Sequence, residues 1–247
     1  MAAGDVAAGS RRSVFLTGAS SGIGAAIAQE LVKLGYTVGC ASRRGTVPFS
    51  SDGVVPIALD VTADAATRDA LESFTESYGL VGLVNVAGAY TPAPSAELSL
   101  GELRRSLELN LVSSVRLAQL AHPHLKQRGG GFIANVGSFY GKLGIPGGLA
   151  YSAAKAALAS VTRTLAVEWA PDGISVVNFA PGYVETELNA EFLEDPQNRS
   201  RLARKIPVGR IGTAAEIGRL VSSILDAQCG FLTGETITID GAQSIRQ

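Results

Sequence analysis

Tyr151 and Lys155 lie four residues apart in Tyr151-Ser-Ala-Ala-Lys155. On a helix that spacing puts a phenol and an amine on one face, about one turn from each other. A phenol titrates near ~10 in water and a neighbouring cation favours its phenolate, so the pair could trade a proton with a bound oxygen. A half-buried Tyr beside a solvated Lys shows the same spacing. Other residues must decide between the two.

A second constellation is Thr17-Gly18-Ala-Ser20-Ser21-Gly22-Ile23-Gly24. Glycines here let a backbone turn sharply and approach a pyrophosphate, whose charge a helix N-terminus stabilises. The spacing is G-x-x-x-G-x-G and not the more general G-x-G-x-x-G. An NAD site carries an acid about twenty residues further on, for the ribose 2′-hydroxyl. In its place stand Ser42, Arg43 and Arg44, and no acid occurs between Glu30 and Asp52. Guanidinium groups match phosphate with paired hydrogen bonds, so a 2′-phosphate and NADP(H) are expected, with NAD(H) the weaker candidate.

The elements that must position these groups follow from patterning. Val14–Thr17, Thr37–Ala41, Val54–Leu59, Val81–Asn85, Phe132–Val136, Val176–Ala180 and Glu235–Ile239 are short apolar runs that read as buried strands. Between them lie helical spacings. Ile23, Ile27, Leu31 and Leu34 recur at helical intervals and end at Gly35, a C-cap position. Thr62 is expected to cap a helix running to about Ser77. Ser99-x-x-Glu102 and Thr213-x-x-Glu216 are capping boxes that open further helices, and another spans Tyr151–Trp169. Asn110 falls inside the helix after Ser99, where a poor helix former suggests a local kink. Continuous apolar strands alternating with helices specify an α/β fold: a doubly wound parallel sheet of about seven strands, helices on both faces. Residues 182–212 are too long for a plain connection and read as a lid with helical pieces. Met1–Arg12 reads as a frayed tail before one domain over 13–247.

Of the 247 residues, 46% are hydrophobic and 17% charged, enough for a large core; the net charge of −1 points to neither nucleic acid nor an acidic membrane as partner. No run is long and apolar enough to span a bilayer, and Cys40 and Cys229 have no ligand-like spacing. A reduced, cytoplasmic protein is expected. His122 and His124 read as a surface pair near a helix end, without the cysteines or carboxylates of a metal site.

Taken together, the chain resembles the short-chain dehydrogenase/reductase family, in its single-domain branch of about this length. The likeness rests on five motifs in order: Thr17–Gly24; Leu59-Asp60-Val61; Asn85-Val-Ala87-Gly88; Asn110, Ser138, Tyr151 and Lys155; and Pro181-Gly182-Tyr-Val184-Glu-Thr186. Val86 stands where that family has a second Asn, Gly137 where a second serine is common, and Ala242 where a glycine is usual. The resemblance implies a Rossmann-like fold and an NADP(H)-dependent interconversion of a ketone or aldehyde with an alcohol. It gives Asp60, Val61, Asn85, Ala87, Gly88, Pro181, Gly182, Val184 and Thr186 to the cofactor. Tyr151 becomes the general acid or base, Lys155 and the oxidised nicotinamide ring lower its pKa, and Lys155 also holds the ribose. Ser138 donates to the substrate oxygen, and Asn110 anchors a water that links Lys155 to solvent.

Phe139, Tyr140, Leu143, Ile145, residues 90–96 and the lid residues Tyr183, Leu188 and Phe192 are expected to line an apolar substrate pocket. The resemblance leaves a 3-oxoacyl carrier-protein reductase as an alternative; Arg128 could dock an acidic carrier, but Asp172 stands where a second basic residue is expected. A non-catalytic nucleotide-sensing protein is a remoter reading. The resemblance also implies a homotetramer or homodimer, paired through the helices carrying Asn110 and Tyr151 and through Thr213–Asp240.

Overall fold

The structure is a computed structural model and describes residues 12–187 and 189–246. The expected N-terminal tail, apart from Arg12, and Leu188 lie outside the described residues. Arg12 itself is held: its guanidinium pairs with Asp226 and lies 4.0 Å from the centre of the Tyr36 ring.

Seven parallel strands form the central sheet: β1 (Ser13–Thr17), β2 (Thr37–Ser42), β3 (Val54–Ala58), β4 (Gly82–Asn85), β5 (Gly131–Val136), β6 (Ile174–Pro181) and β9 (Thr236–Ile239). Their order is β3-β2-β1-β4-β5-β6-β9. The chain winds outward from β1 to β3, then returns to place β4 on the other side of β1. A crevice therefore opens at the carboxyl ends of β1 and β4, where such sheets bind ligands.

Alternate residues of each strand face opposite sides of the sheet and meet different helices. Val14 and Leu16 of β1 pack with Ile27 and Leu31 of α1 (Gly22–Lys33) and with Val221 and Leu225 of α8 (Ala214–Asp226). Phe15 faces the other way, toward Leu71 and Phe74 of α2 (Asp64–Tyr78) and Leu117 of α4 (Ser113–Gln127). Side-chain absence is used for close approach. A Cβ on Gly39 of β2 would stand 2.8 Å from the Phe74 ring, and one on Gly218 would stand 2.8 Å from the α1 backbone at Ala26.

Two sequence expectations need correction. β3 is not a buried strand: it forms one edge of the sheet, is half-exposed, and carries Pro56, which an edge tolerates. Thr62 does not cap α2. Its amide and hydroxyl both donate to Asp60, at 3.0 and 2.7 Å, and Ala63 takes the cap position.

The capping box at Ser99 and Glu102 opens α3 (Leu100–Leu107). The kink expected at Asn110 is a π-turn, Glu108–Val112, between α3 and α4. Arg116 of α4 braces it, pairing with Glu108 at 2.8 Å and Asp64 at 2.6 Å while donating to the Val61 carbonyl at 3.0 Å. Tyr151 begins the second half-turn of α5 (Leu149–Trp169).

The segment expected to be a lid contains α6 (Ala190–Glu194) and α7 (Pro196–Ala203), the latter capped by Asp195 with Pro196 at its first position. A two-stranded ribbon, β7 (Val184–Glu185) with β8 (Gly212–Thr213), closes its base. Leu193, Ile206 and Ile211 give it a small core of its own. Among the described residues no helix is long and apolar enough to cross a membrane.

Candidate active site

The glycine turn sits in the crevice between β1 and β4. Gly18 and Gly22 adopt φ of +74° and +53°, backbone that side chains resist. A Cβ on Gly24 would fall 2.1 Å from the Gly18 carbonyl, so only glycine lets α1 start this close to the strand. The Thr17 hydroxyl accepts hydrogen bonds from the amides of Val86 and Ala87, at 3.1 and 3.2 Å, fixing the two strand ends together. Ser20, Ser21, Gly22 and Ile23 remain partly open to solvent at the start of α1. The cradle fits a pyrophosphate, since its glycines keep side chains out of the way and a helix begins there.

The end of β2 supplies the basic edge. Arg43 and Arg44 are exposed, and Arg44 donates to the Ser20 carbonyl at 3.3 Å, which brings its guanidinium over the turn. Arg43 lies close enough to Asp60 to help lower its pKa, after the hydrogen bonds from Thr62. Ser42 is buried, and its hydroxyl accepts from the Gly45 amide at 3.1 Å, so it shapes the turn that presents the arginines.

Across the crevice, β5 ends at Val136 and leads to Ser138 in extended backbone. The Ser138 hydroxyl accepts from the Tyr140 amide at 3.2 Å, which leaves its proton to donate elsewhere. Lys155 is buried, donates to the Val136 carbonyl at 2.8 Å, and places its ammonium 5.6 Å from the Tyr151 ring centre. Burial lowers Lys155 to about 8. Tyr151 is raised, mainly by burial; the Ser138 hydroxyl works against that rise and Tyr90 adds to it. The expected lowering of Tyr151 by Lys155 is thus not a property of the protein alone. Desolvation dominates, and the Lys155 ammonium is committed to Val136.

Asn110 is buried in the π-turn. Its amide nitrogen donates to the Ala89 carbonyl at 3.0 Å and to Ser106 O at 3.1 Å, and its oxygen accepts from the Ala89 amide at 3.1 Å. The side chain clamps the segment after β4, where the sequence pointed to a water anchor. A Cβ on Gly88 would stand 2.7 Å from the Asn110 oxygen and 3.6 Å from the Lys155 nitrogen. Gly88, Asn110 and Lys155 therefore converge.

Other expected cofactor residues divide. Thr186 lies against the turn, its methyl 3.1 Å from where a Gly22 Cβ would be. Gly182 packs on Asp240, where a Cβ would stand 2.6 Å from the Asp240 Cβ. Asn85, Val61 and Val184 turn their side chains inward. The Asn85 amide nitrogen donates to Asn135 at 2.9 Å and to the Ser114 carbonyl at 3.3 Å, which ties β4 to its neighbours, while its oxygen has no partner among the described residues. Asn85, Asn135 and Asn178 occupy matching registers of β4, β5 and β6. Sequence reading passed over the last two; the signal was an Asn near the end of each of three successive apolar strands.

Aromatic rings wall the space beside Tyr151. The Tyr90 ring meets it edge-on at 5.3 Å, Phe139 and Tyr140 stack at 4.2 Å, and the Tyr140 hydroxyl donates to the Tyr183 hydroxyl at 2.8 Å. Phe139 is buried under the wall and does not line the pocket itself.

A crossed α/β sheet with a glycine cradle and a Tyr–Lys helix beside it defines a nucleotide-binding oxidoreductase of the open-sheet class. The chain belongs to the short-chain dehydrogenase family, whose family model, described as "short chain dehydrogenase", matches residues 12–197. It is 32% identical over 246 residues to a tropinone reductase homolog of Arabidopsis thaliana, covering 95% of this chain and 92% of that one. It is 35% identical over 233 residues to the 3-oxoacyl-[acyl-carrier-protein] reductase FabG of Vibrio cholerae, covering 92% and 95%. Among solved structures it resembles ElxO with NADP bound, at a TM-score of 0.90 and 25% identity over 96% of this chain and 100% of that one. The ligand-free aldohexose dehydrogenase of Thermoplasma acidophilum gives 0.87 and 27%, over 96% and 95%.

Proposed function

We propose that this protein is an NADP(H)-dependent oxidoreductase that interconverts a ketone or aldehyde with an alcohol. The observation that carries the reading is the convergence of Tyr151, Ser138 and Lys155 at the mouth of the crevice that the glycine turn lines. When bound, the nicotinamide supplies or accepts the hydride. Ser138 donates a hydrogen bond to the substrate oxygen and stabilises charge there. Tyr151 gives its proton to that oxygen in reduction and takes one in oxidation. Its raised pKa keeps it protonated at neutral pH, which suits the reductive direction. Lys155 holds the cofactor ribose and offers a positive charge to a developing phenolate. The relative solved with NADP bound supports the cofactor, as do Arg43 and Arg44 at the end of β2.

The aromatic wall suits an apolar carbonyl compound. A carrier-bound 3-oxoacyl substrate is the second reading, favoured by the relative of that name. Asp172 argues for a free substrate, because it pairs with Lys126 at 3.0 Å and His122 at 2.9 Å and neutralises the surface a carrier would use. We place the protein in the cytoplasm, as a homotetramer or homodimer. Exposed Leu100, Val112, Leu149 and Val167 on the helices around the site support the assembly.

The test follows NADPH absorbance against a panel of ketones and aldehydes, with and without an acyl carrier. Wild type is expected to turn over and Tyr151→Phe to lose at least a hundredfold in kcat. Binding of NADPH with no turnover on any carbonyl or alcohol would sink the reading.

A further inference from the structure

The amide of Gly22, the first residue of α1, donates to a carboxylate oxygen of Glu187 at 2.9 Å, across 165 residues of sequence. α1 has no acid in its first turn, and Ser21 at its cap position makes no side-chain bond. The lid supplies the anion that the helix itself lacks. Thr186 seats the same segment against Gly22. Asn189 holds the backbone behind it, donating to the Val184 carbonyl and accepting from the Thr186 amide, both at 2.9 Å. Two residues earlier, Glu185 is spent on Arg199 at 2.6 and 2.8 Å. Among the described residues Glu187 forms no such pair, so the helix terminus is what offsets its charge.

We infer that Glu187 stands in for the cofactor's pyrophosphate in the cofactor-free protein and competes with it for the start of α1. This rests on the glycine turn being the cofactor site, as proposed above. Two anions cannot share one amide. Binding must therefore displace the carboxylate, and with it the anchor between the lid and the turn. Glu187 thereby sets cofactor affinity, and an empty site holds its lid down.

The test measures NADPH affinity by fluorescence titration of the full chain at low ionic strength, for wild type, Glu187→Gln, Glu187→Ala and Glu191→Gln. Glu187→Gln and Glu187→Ala are expected to bind about 3- to 10-fold more tightly, with Glu191→Gln unchanged. Amide exchange over residues 18–24 without cofactor is expected to be faster in Glu187→Ala than in wild type. Equal or weaker binding in Glu187→Ala overturns the inference, as does equal tightening in Glu191→Gln, which would mean a general charge effect. Unchanged amide exchange also overturns it. If no variant and no wild-type sample binds NADPH or NADH, the cofactor reading falls and takes this inference with it, even where the exchange result shows the contact itself.

Discussion

Asn110 grips Ala89 from both sides, accepting from its amide at 3.1 Å and donating to its carbonyl at 3.0 Å. The π-turn makes this possible, because one extra residue per turn swings Asn110 out of the helix ladder toward the end of β4. The clamp fixes the segment that carries Gly88 beside Lys155.

Asn110→Ala removes the partner of both the amide and the carbonyl of Ala89 at once. We expect a loss of about 1 kcal/mol in unfolding free energy, measured by urea titration, because Ala89 is exposed and water can take part of the lost bonding. Turnover should fall further than this loss explains, because Gly88 is no longer held against Lys155. A variant as stable and as active as wild type would show that the clamp does nothing.

Arg43 and Arg44 set the second prediction. Arg43→Ala is expected to raise KM for NADPH about tenfold and leave KM for NADH within twofold, since only the former carries a 2′-phosphate. Steady-state kinetics with both cofactors reads the ratio directly. An unchanged ratio in the double variant with Arg44→Ala would remove the assignment to NADP(H).

What sequence disclosed here was mostly local. The capping boxes at Ser99/Glu102 and Thr213/Glu216 formed as written, because each needs only a residue and its neighbour three positions on. The strand and helix alternation gave the sheet, and the poor helix former at Asn110 gave the break in its helix. Contacts between distant segments stayed hidden. Glu187 was one of several lid acids until the fold laid it on Gly22, and the pairing of Asn85 with Asn135 emerged only from strand register. Exposure of β3 depends on its place at the sheet edge, which an apolar run does not encode. The rise in the Tyr151 pKa of the cofactor-free protein stayed hidden for a related reason. Spacing gives the neighbour, Lys155, but not the depth to which the phenol is buried.

Lys155 carries a stability cost that pH exposes. Burial lowers its pKa from 10.5 to about 8, so between those values the unfolded chain holds a proton that the folded one has shed. Stability from this group therefore rises with pH across that window, and the full penalty, at most about 3 kcal/mol, is present below it. Lys155→Met keeps the aliphatic stem but leaves the Val136 carbonyl without its donor, at about 1 kcal/mol. The variant is expected to be inactive yet more stable than wild type by about 1–2 kcal/mol at neutral pH, with the advantage gone near pH 10.5. Thermal or urea melts across that range check it. A less stable variant at neutral pH would mean that the buried ammonium is better compensated than its Val136 contact suggests.

Tyr90 governs the last prediction. Its ring lies edge-on to Tyr151 at 5.3 Å and is 42% exposed, so it covers the phenol on the side open to solvent. Tyr151 is raised chiefly by burial, and Tyr90 adds to that rise. Tyr90→Ala lets water reach the phenol and is expected to lower its pKa. Alcohol oxidation needs the phenolate, so its rate climbs with pH through the Tyr151 pKa; in Tyr90→Ala that limb should shift toward acid. Tyr90→Phe retains the cover and removes only the smaller charge interaction with the Tyr90 hydroxyl, so it should move the limb less. The same substitution removes part of the aromatic wall, so KM for planar, apolar ketones should rise several-fold while kcat in the reductive direction changes less. Should the limb move equally in both variants, the Tyr90 hydroxyl and not its ring would be the group that Tyr151 senses.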